Sequence, residues 1–67
     1  MTVNGEKFDR AALEPEFDVQ SLLRHLALSG KRVAIELNGE LLSQSQYAGQ
    51  RLSENDQVEI IHYVGGG

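Results

Sequence analysis

An α+β fold, with one main helix packed across a mixed sheet of four to five strands, is predicted by three features of this 67-residue chain. Apolar residues alternate at period two around Val3, Ile35 and Val58, as strands with one covered face require. Val19, Leu22, Leu23 and Leu26 fall at the i, i+3, i+4, i+7 spacing of a single helical face. Asn-Gly pairs at positions 4–5 and 38–39 punctuate the chain where hairpins turn.

Taken in order, Met1 and Val3 form the first strand, Asn4-Gly5 supplies a tight turn, and Glu6 to Asp9 returns around Phe8. Residues 11–17 cross over, with Pro15 breaking any early helix. Asp18 is suited to N-cap the helix, Arg24 lies on its polar side, and Gly30 is read as its C-terminal stop. Full burial of each leucine on the helix contributes about 1.5–3 kcal/mol. Val33, Ile35 and Leu37 alternate with Ala34 and Glu36 up to the Asn38-Gly39 turn, after which Glu40-Leu41-Leu42 pairs back. Residues 43–52 are polar and suit a loop or single helical turn anchored by Tyr47 and Leu52. Ser53-Glu54-Asn55-Asp56 turns the chain into the last strand, 57–64, with Val58 and Ile60 on one face and Glu59, Ile61 and Tyr63 on the other.

Strand, strand, helix, strand, strand, strand fits the β-grasp topology, with the last strand parallel to the first in the middle of the sheet. The predicted organisation is therefore a β-grasp domain over 1–64 and a glycine tail over 65–67, mounted at the rim of a rigid body. A chain of this length holds one domain and buries roughly 60% of the surface its unfolded form exposes.

Composition removes several classes of function. There is no cysteine, which excludes disulfides, thiolate catalysis and cysteine-ligated metal. The net charge is −4 and the six cations are dispersed, so nucleic acid is not the expected partner. No stretch approaches the ~20 apolar residues of a bilayer span, and Met1-Thr2-Val3-Asn4-Gly5 does not open a secretion signal, so a cytoplasmic location is expected. His25 and His62 lie on different predicted elements and read as solvated or rim histidines, and no metal site is expected. Glu14, Glu16 and Asp18 precede the helix, where its dipole and solvation account for them.

The tail, Gly65-Gly66-Gly67, is costly to order and brings nothing to packing, because glycine has no side chain and loses the most backbone freedom. It gains something only where thinness or mobility matters: three extended residues carry a terminal carboxylate about 10 Å from the body, into a narrow site. Ionised at neutral pH, such a carboxylate is a weak acyl donor and must be activated before a nucleophile can displace its oxygen.

The overall length, the Asn38-Gly39 hairpin, the run Asn55-Asp56-Gln57-Val58-Glu59-Ile60 and the ending His62-Tyr63-Val64-Gly65-Gly66-Gly67 resemble the ThiS family of sulfur carriers. The resemblance implies that Gly67 is adenylated by an E1-like, ThiF-type adenylyltransferase using ATP and Mg. It further implies conversion to a thiocarboxylate with sulfur from a donor such as a cysteine desulfurase, and delivery to a ThiG-type thiazole synthase in thiamin biosynthesis. On that reading the chain is a substrate of enzymes and not itself an enzyme. Gly66 and Gly67 match the family's diglycine, and Gly65 is an added spacer. Asn55-Asp56 stands where many members have Gly-Asp, and Asn tolerates the same left-handed conformation.

Three alternatives remain beside this one. A small subunit of molybdopterin-synthase type also ends in diglycine, but such chains carry an aromatic-Pro-Pro pattern where this one has His62-Tyr63-Val64. A carrier for another pathway would share the tail chemistry. A ubiquitin-like modifier or binding module would be joined through Gly67 to lysines. For partner docking, Ile61, Tyr63, Glu59, Ala34 and Glu36 are predicted to share the sheet face opposite the helix, along with Thr2.

Overall fold

The computed structural model describes residues 1–62. Its elements are β1 (Thr2–Val3), β2 (Glu6–Lys7), α1 (Val19–His25), β3 (Val33–Leu37), β4 (Glu40–Leu42) and β5 (Gln57–His62), with 3₁₀ turns at Arg10–Ala12 and Gln44–Gln46. They form a five-stranded sheet in the order β2-β1-β5-β3-β4, in which β5 runs parallel to β1 and antiparallel to β3. This is the predicted mixed sheet, with the last strand at its centre.

Both Asn-Gly turns work through backbone sign. Asn4 and Gly5 have φ of 51° and 82°, and Asn38 and Gly39 have 52° and 86°, the pair of positive angles that matches the right-handed twist of hairpin strands. Their side chains also reach into the sheet. Asn4 Oδ1 accepts from the Ile60 N–H at 2.7 Å, continuing the β1–β5 pairing one step past the end of β1. Asn38 accepts from the Gln57 N–H at 2.8 Å and donates to Asp56 at 3.0 Å, tying the second hairpin to the turn before β5.

Period-two alternation places Val3, Ile35, Leu37, Val58 and Ile60 on one face, where α1 lays Val19, Leu22 and Leu23 against them. Tyr47 and Leu52 close the core as predicted, at 7% and 2% exposure. Asp18 caps α1 through the Ser21 N–H at 2.8 Å, and its other carboxylate oxygen accepts from the Gly49 N–H at 2.8 Å. Burial acts to raise the Asp18 pKa. The bonds from Gly49 and Ser21, with the Arg24 charge, outweigh it and hold the carboxyl below the ordinary value. Asp56 is shifted the same way: burial opposes, and bonds from Asn38 and Ser53 prevail.

The helix does not run to Gly30. It ends at His25, with Leu26 as C-cap and Ala27 in the left-handed region at φ 59°. The Leu28 N–H bonds to the Leu23 carbonyl at 2.7 Å and the Ala27 N–H to the Arg24 carbonyl at 3.0 Å, a Schellman closure that returns Leu28 to the core beside Leu23. Gly30, at φ 76°, serves the following turn instead. The other corrections are local. The return strand of the first hairpin ends at Lys7, and Phe8 packs against the core. Asn55 does not take a positive φ, so the turn into β5 closes without using the left-handed conformation that Asn tolerates. Ser53 and Asp56 hold it through a side-chain bond of 2.8 Å and a backbone bond of 3.1 Å.

In the crossover, the Arg10 guanidinium donates to the carbonyls of Leu52, Glu14 and Pro15 at 2.7, 2.9 and 2.9 Å and lies 5.7 Å from the Phe17 ring centroid. One planar fork thus fixes a segment with little regular structure.

Candidate functional site: the open face of the sheet and the root of the tail

With α1 covering one face, the side chains of opposite parity on the same strands face away from it. Residues directly paired across neighbouring strands share a face, so the register assigns this surface without ambiguity. Thr2 pairs with Lys7 and with Gln57. Glu36 pairs with Glu59 on one side and Leu41 on the other, and Ala34 pairs with Ile61. Ala34, Glu36, Glu59 and Ile61 therefore come together as predicted. Tyr63, Val64 and the tail Gly65-Gly66-Gly67 lie outside the described residues, as does the boundary at 64–65 between body and tail.

Leu41 joins this face and was missed from sequence. It is 69% exposed and Ile61 is 46% exposed, the two large hydrophobic side chains left open to solvent among the described residues. Its neighbours in sequence, Glu40 and Leu42, pair with Leu37 and Ile35 on the helix side, so β4 presents one residue outward. The two-residue Asn38-Gly39 turn sets this register, placing Glu40 opposite Leu37 and Leu41 opposite Glu36.

The hydrogen-bonding phase of the central strand follows from the Asn38 N–H bond to the Gln57 carbonyl at 2.8 Å. Residues 38 and 57 are a bonded pair, and antiparallel pairs alternate. Glu36–Glu59 and Ala34–Ile61 are then bonded pairs as well, with the two glutamates directly opposite each other. Neither carboxylate has an ion-pair partner among the described residues, where the salt bridge formed is the exposed pair Arg51–Glu16, at 2.9 Å. β5 places His62, the last described residue, opposite Val33.

Nothing in the described body resembles a reaction centre. Among the described residues no three His, Cys, Asp or Glu side chains come together as a metal-binding group. His25 sits exposed on α1 with its ring edge-on to Phe8 and Phe17, at centroid distances of 5.9 and 6.2 Å. His62 is exposed at the end of β5. Glu16 of the acidic run is turned to Arg51, and Asp18 is the cap. A cleft of about 410 Å³ between the end of α1 and the Gln44–Gln46 turn is lined by Gln20, Ser29, Lys31, Arg32 and Tyr47 among others. Among the described residues no helix is long and apolar enough to cross a membrane. What the body offers is a surface and a fixed point from which the chain continues.

Comparison with known proteins agrees with this geometry. The sequence model of the ThiS family matches residues 1–67. The crystal structure of thiamine biosynthesis protein ThiS from Geobacter metallireducens superposes with a TM-score of 0.75 at 32% identity, covering 98% of this chain and 96% of that one. Sulfur carrier protein ThiS of Bacillus subtilis is 39% identical over 49 residues, 73% of this chain and 74% of the relative. A thiazole synthase of Paramagnetospirillum magneticum is 33% identical over all 67 residues, and the chain spans 20% of that longer protein's length. The match over the whole sequence, the shared five-stranded fold and the glycine ending together place this chain in the ThiS family.

Proposed function

We propose that this chain is a sulfur carrier for thiamin biosynthesis, with the Gly67 carboxylate as the group that is activated, loaded and emptied by partner enzymes. The reading is carried by one observation: family membership extends across residues 1–67, through the Gly65-Gly66-Gly67 ending. It is supported by the 39% identity to the sulfur carrier protein ThiS of Bacillus subtilis over 49 residues.

Loading proceeds in two displacements. A Gly67 carboxylate oxygen attacks the α-phosphorus of ATP on an E1-like adenylyltransferase; the bond to the β-phosphate breaks and pyrophosphate leaves with Mg. A sulfur nucleophile then attacks the acyl carbon: either hydrosulfide itself, or the terminal sulfur of a persulfide from a donor such as a cysteine desulfurase. In the persulfide case a second thiol cleaves the resulting acyl disulfide, is oxidised to a disulfide with the donor, and releases the thiocarboxylate. AMP leaves with the C–O electron pair, and the nucleophile's proton is lost to solvent. The product is the thiocarboxylate, whose sulfur passes to a ThiG-type thiazole synthase. Adenylation is needed because a carboxylate oxygen is a poor leaving group and AMP is a good one. The absent Cβ of Gly66 and Gly67 lets the walls of a partner's site close on the acyl group.

The test is an intact-mass measurement after incubation with ATP, the adenylyltransferase and a sulfur source. The expected result is exchange of one oxygen for sulfur, localised by fragmentation to Gly67. A mass that stays unchanged, with no adenylate trapped when sulfur is withheld, contradicts the reading.

A further inference from the structure

The open face carries an arrangement that its own sheet does not explain. Glu36 and Glu59 are placed directly opposite each other on adjacent strands, at the cross-strand spacing of about 5.5 Å expected for a bonded pair. Like charges in that position oppose sheet formation. The described residues provide no ion-pair partner for either. The row also continues to Leu41, 69% exposed, and the next row holds Ile61, 46% exposed, with Ala34. Two uncompensated carboxylates between two exposed aliphatic side chains form a surface whose complement is a cation set among apolar groups. An arginine fits best, because its planar fork can engage two carboxylates at once.

We infer that this face docks an apolar surface of thiazole synthase bearing a cationic side chain, which inserts between Glu36 and Glu59 while Leu41 and Ile61 pack beside it. The inference rests on the carrier reading above and names the partner of the same site. Thiazole synthase is chosen over other occupants because a relative that aligns over this entire chain is itself a thiazole synthase, so this domain and a synthase body occur within one polypeptide. Ile61 lies four positions before Gly65, the first residue of the tail, so docking here also aims the chain that carries Gly67.

The experiment measures binding of the full chain, unmodified at Gly67, to its cognate thiazole synthase across a salt series. Three proteins are compared: the native chain, the double variant Glu36→Gln/Glu59→Gln, and the control Glu40→Gln/Glu54→Gln. Both variants remove two negative charges, but Glu40 pairs with Leu37 on the helix side and Glu54 lies in the turn before β5. The open-face variant is expected to bind about tenfold or more weakly with a shallower salt dependence, while the control stays within about twofold. Its thermal midpoint should equal or exceed the native one, since a repulsive pair has been relieved. A merely structural role for the glutamates would lower it.

Equal weakening of both variants, an open-face variant within twofold of native, absence of native binding, or binding lost only toward the adenylyltransferase would each overturn the inference. Because binding is read on the unmodified chain, failure here leaves thiocarboxylate formation at Gly67 as a separate result, and failure of that reaction leaves this measurement intact.

Discussion

On one face of the sheet Val3, Ile35, Leu37, Val58 and Ile60 are at most 9% exposed, while on the other the same strands carry Thr2, Ala34, Glu36, Glu59 and Ile61, with Leu41 from β4 at 69%. The first face is satisfied: each apolar side chain meets α1 or the segment closed by Tyr47 and Leu52. The second leaves two carboxylates facing each other and two aliphatic side chains in water. Selection for stability alone accounts for the first and not the second. On the docking inference above, stability and recognition are separated by strand parity, so that alternate residues of one strand answer to different measurements.

The sharpest way to break that separation is in the core. Leu22 is fully buried on α1, and Leu22→Ala should cost about 2–5 kcal/mol in urea unfolding through lost burial and the cavity left behind. For the folded fraction, partner affinity should be unchanged. A large loss of affinity at full folding would mean that the two faces are coupled.

Acid sharpens the comparison at the edges of the covered face. Asp18 and Asp56 both have pKa values lowered by folding, so the unfolded chain takes up protons before the folded one does. Their contribution is complete above the ordinary aspartate value of about 3.9 and is lost as pH falls through it toward the depressed values. The thermal midpoint should be nearly flat from about pH 8 to 5 and fall below about pH 4. Asp18→Asn/Asp56→Asn should flatten the fall; an unchanged acid limb would assign it to other carboxylates.

A smaller effect of opposite sign is expected at the end of the helix. Ala27 holds φ 59° to complete the Schellman closure, and Ala27→Gly should stabilise the domain by about 0.5–1 kcal/mol, as relief of left-handed strain exceeds the added entropy of unfolded glycine. Destabilisation would mean that the closure depends on the Ala27 methyl. Least of all should be the effect of Leu41→Ser and Ile61→Ser on stability, within about 0.5 kcal/mol each. A cost near that of Leu22→Ala would remove the distinction between the faces.

Local signals were legible in the sequence where they depend on a few neighbouring residues. The Asn4-Gly5 and Asn38-Gly39 turns, the Asp18 cap and the alternation of Val33, Ile35 and Leu37 each carry their own mechanism. The helix stop was misread because Gly30 is the better left-handed residue, whereas the pull of Leu28 back onto Leu23 decides where the chain turns. At Asn55 the tolerance of Asn for a positive φ goes unused, because the Ser53–Asp56 bonds close the turn without one. Of the candidate surface, Glu59, Ile61, Ala34 and Glu36 followed from strand parity alone. Leu41 follows from the two-residue Asn38-Gly39 turn, which sets Glu36 opposite it. The opposition of Glu36 to Glu59, by contrast, depends on register between strands far apart in the chain, as do the reach of Asp18 to Gly49 and of Asn4 to Ile60. Residue type does not encode that offset.

The central claim is that the body is the handle and Gly67 the load, and sulfur transfer itself tests it most directly. The chain would be charged with heavy-isotope sulfur, freed of small molecules and presented to thiazole synthase. Label should leave Gly67 and appear in the thiazole in matching amount, while a chain lacking Gly67 keeps its fold and delivers none. Label retained on the chain, or thiazole formed equally well from the shortened chain, would contradict the account.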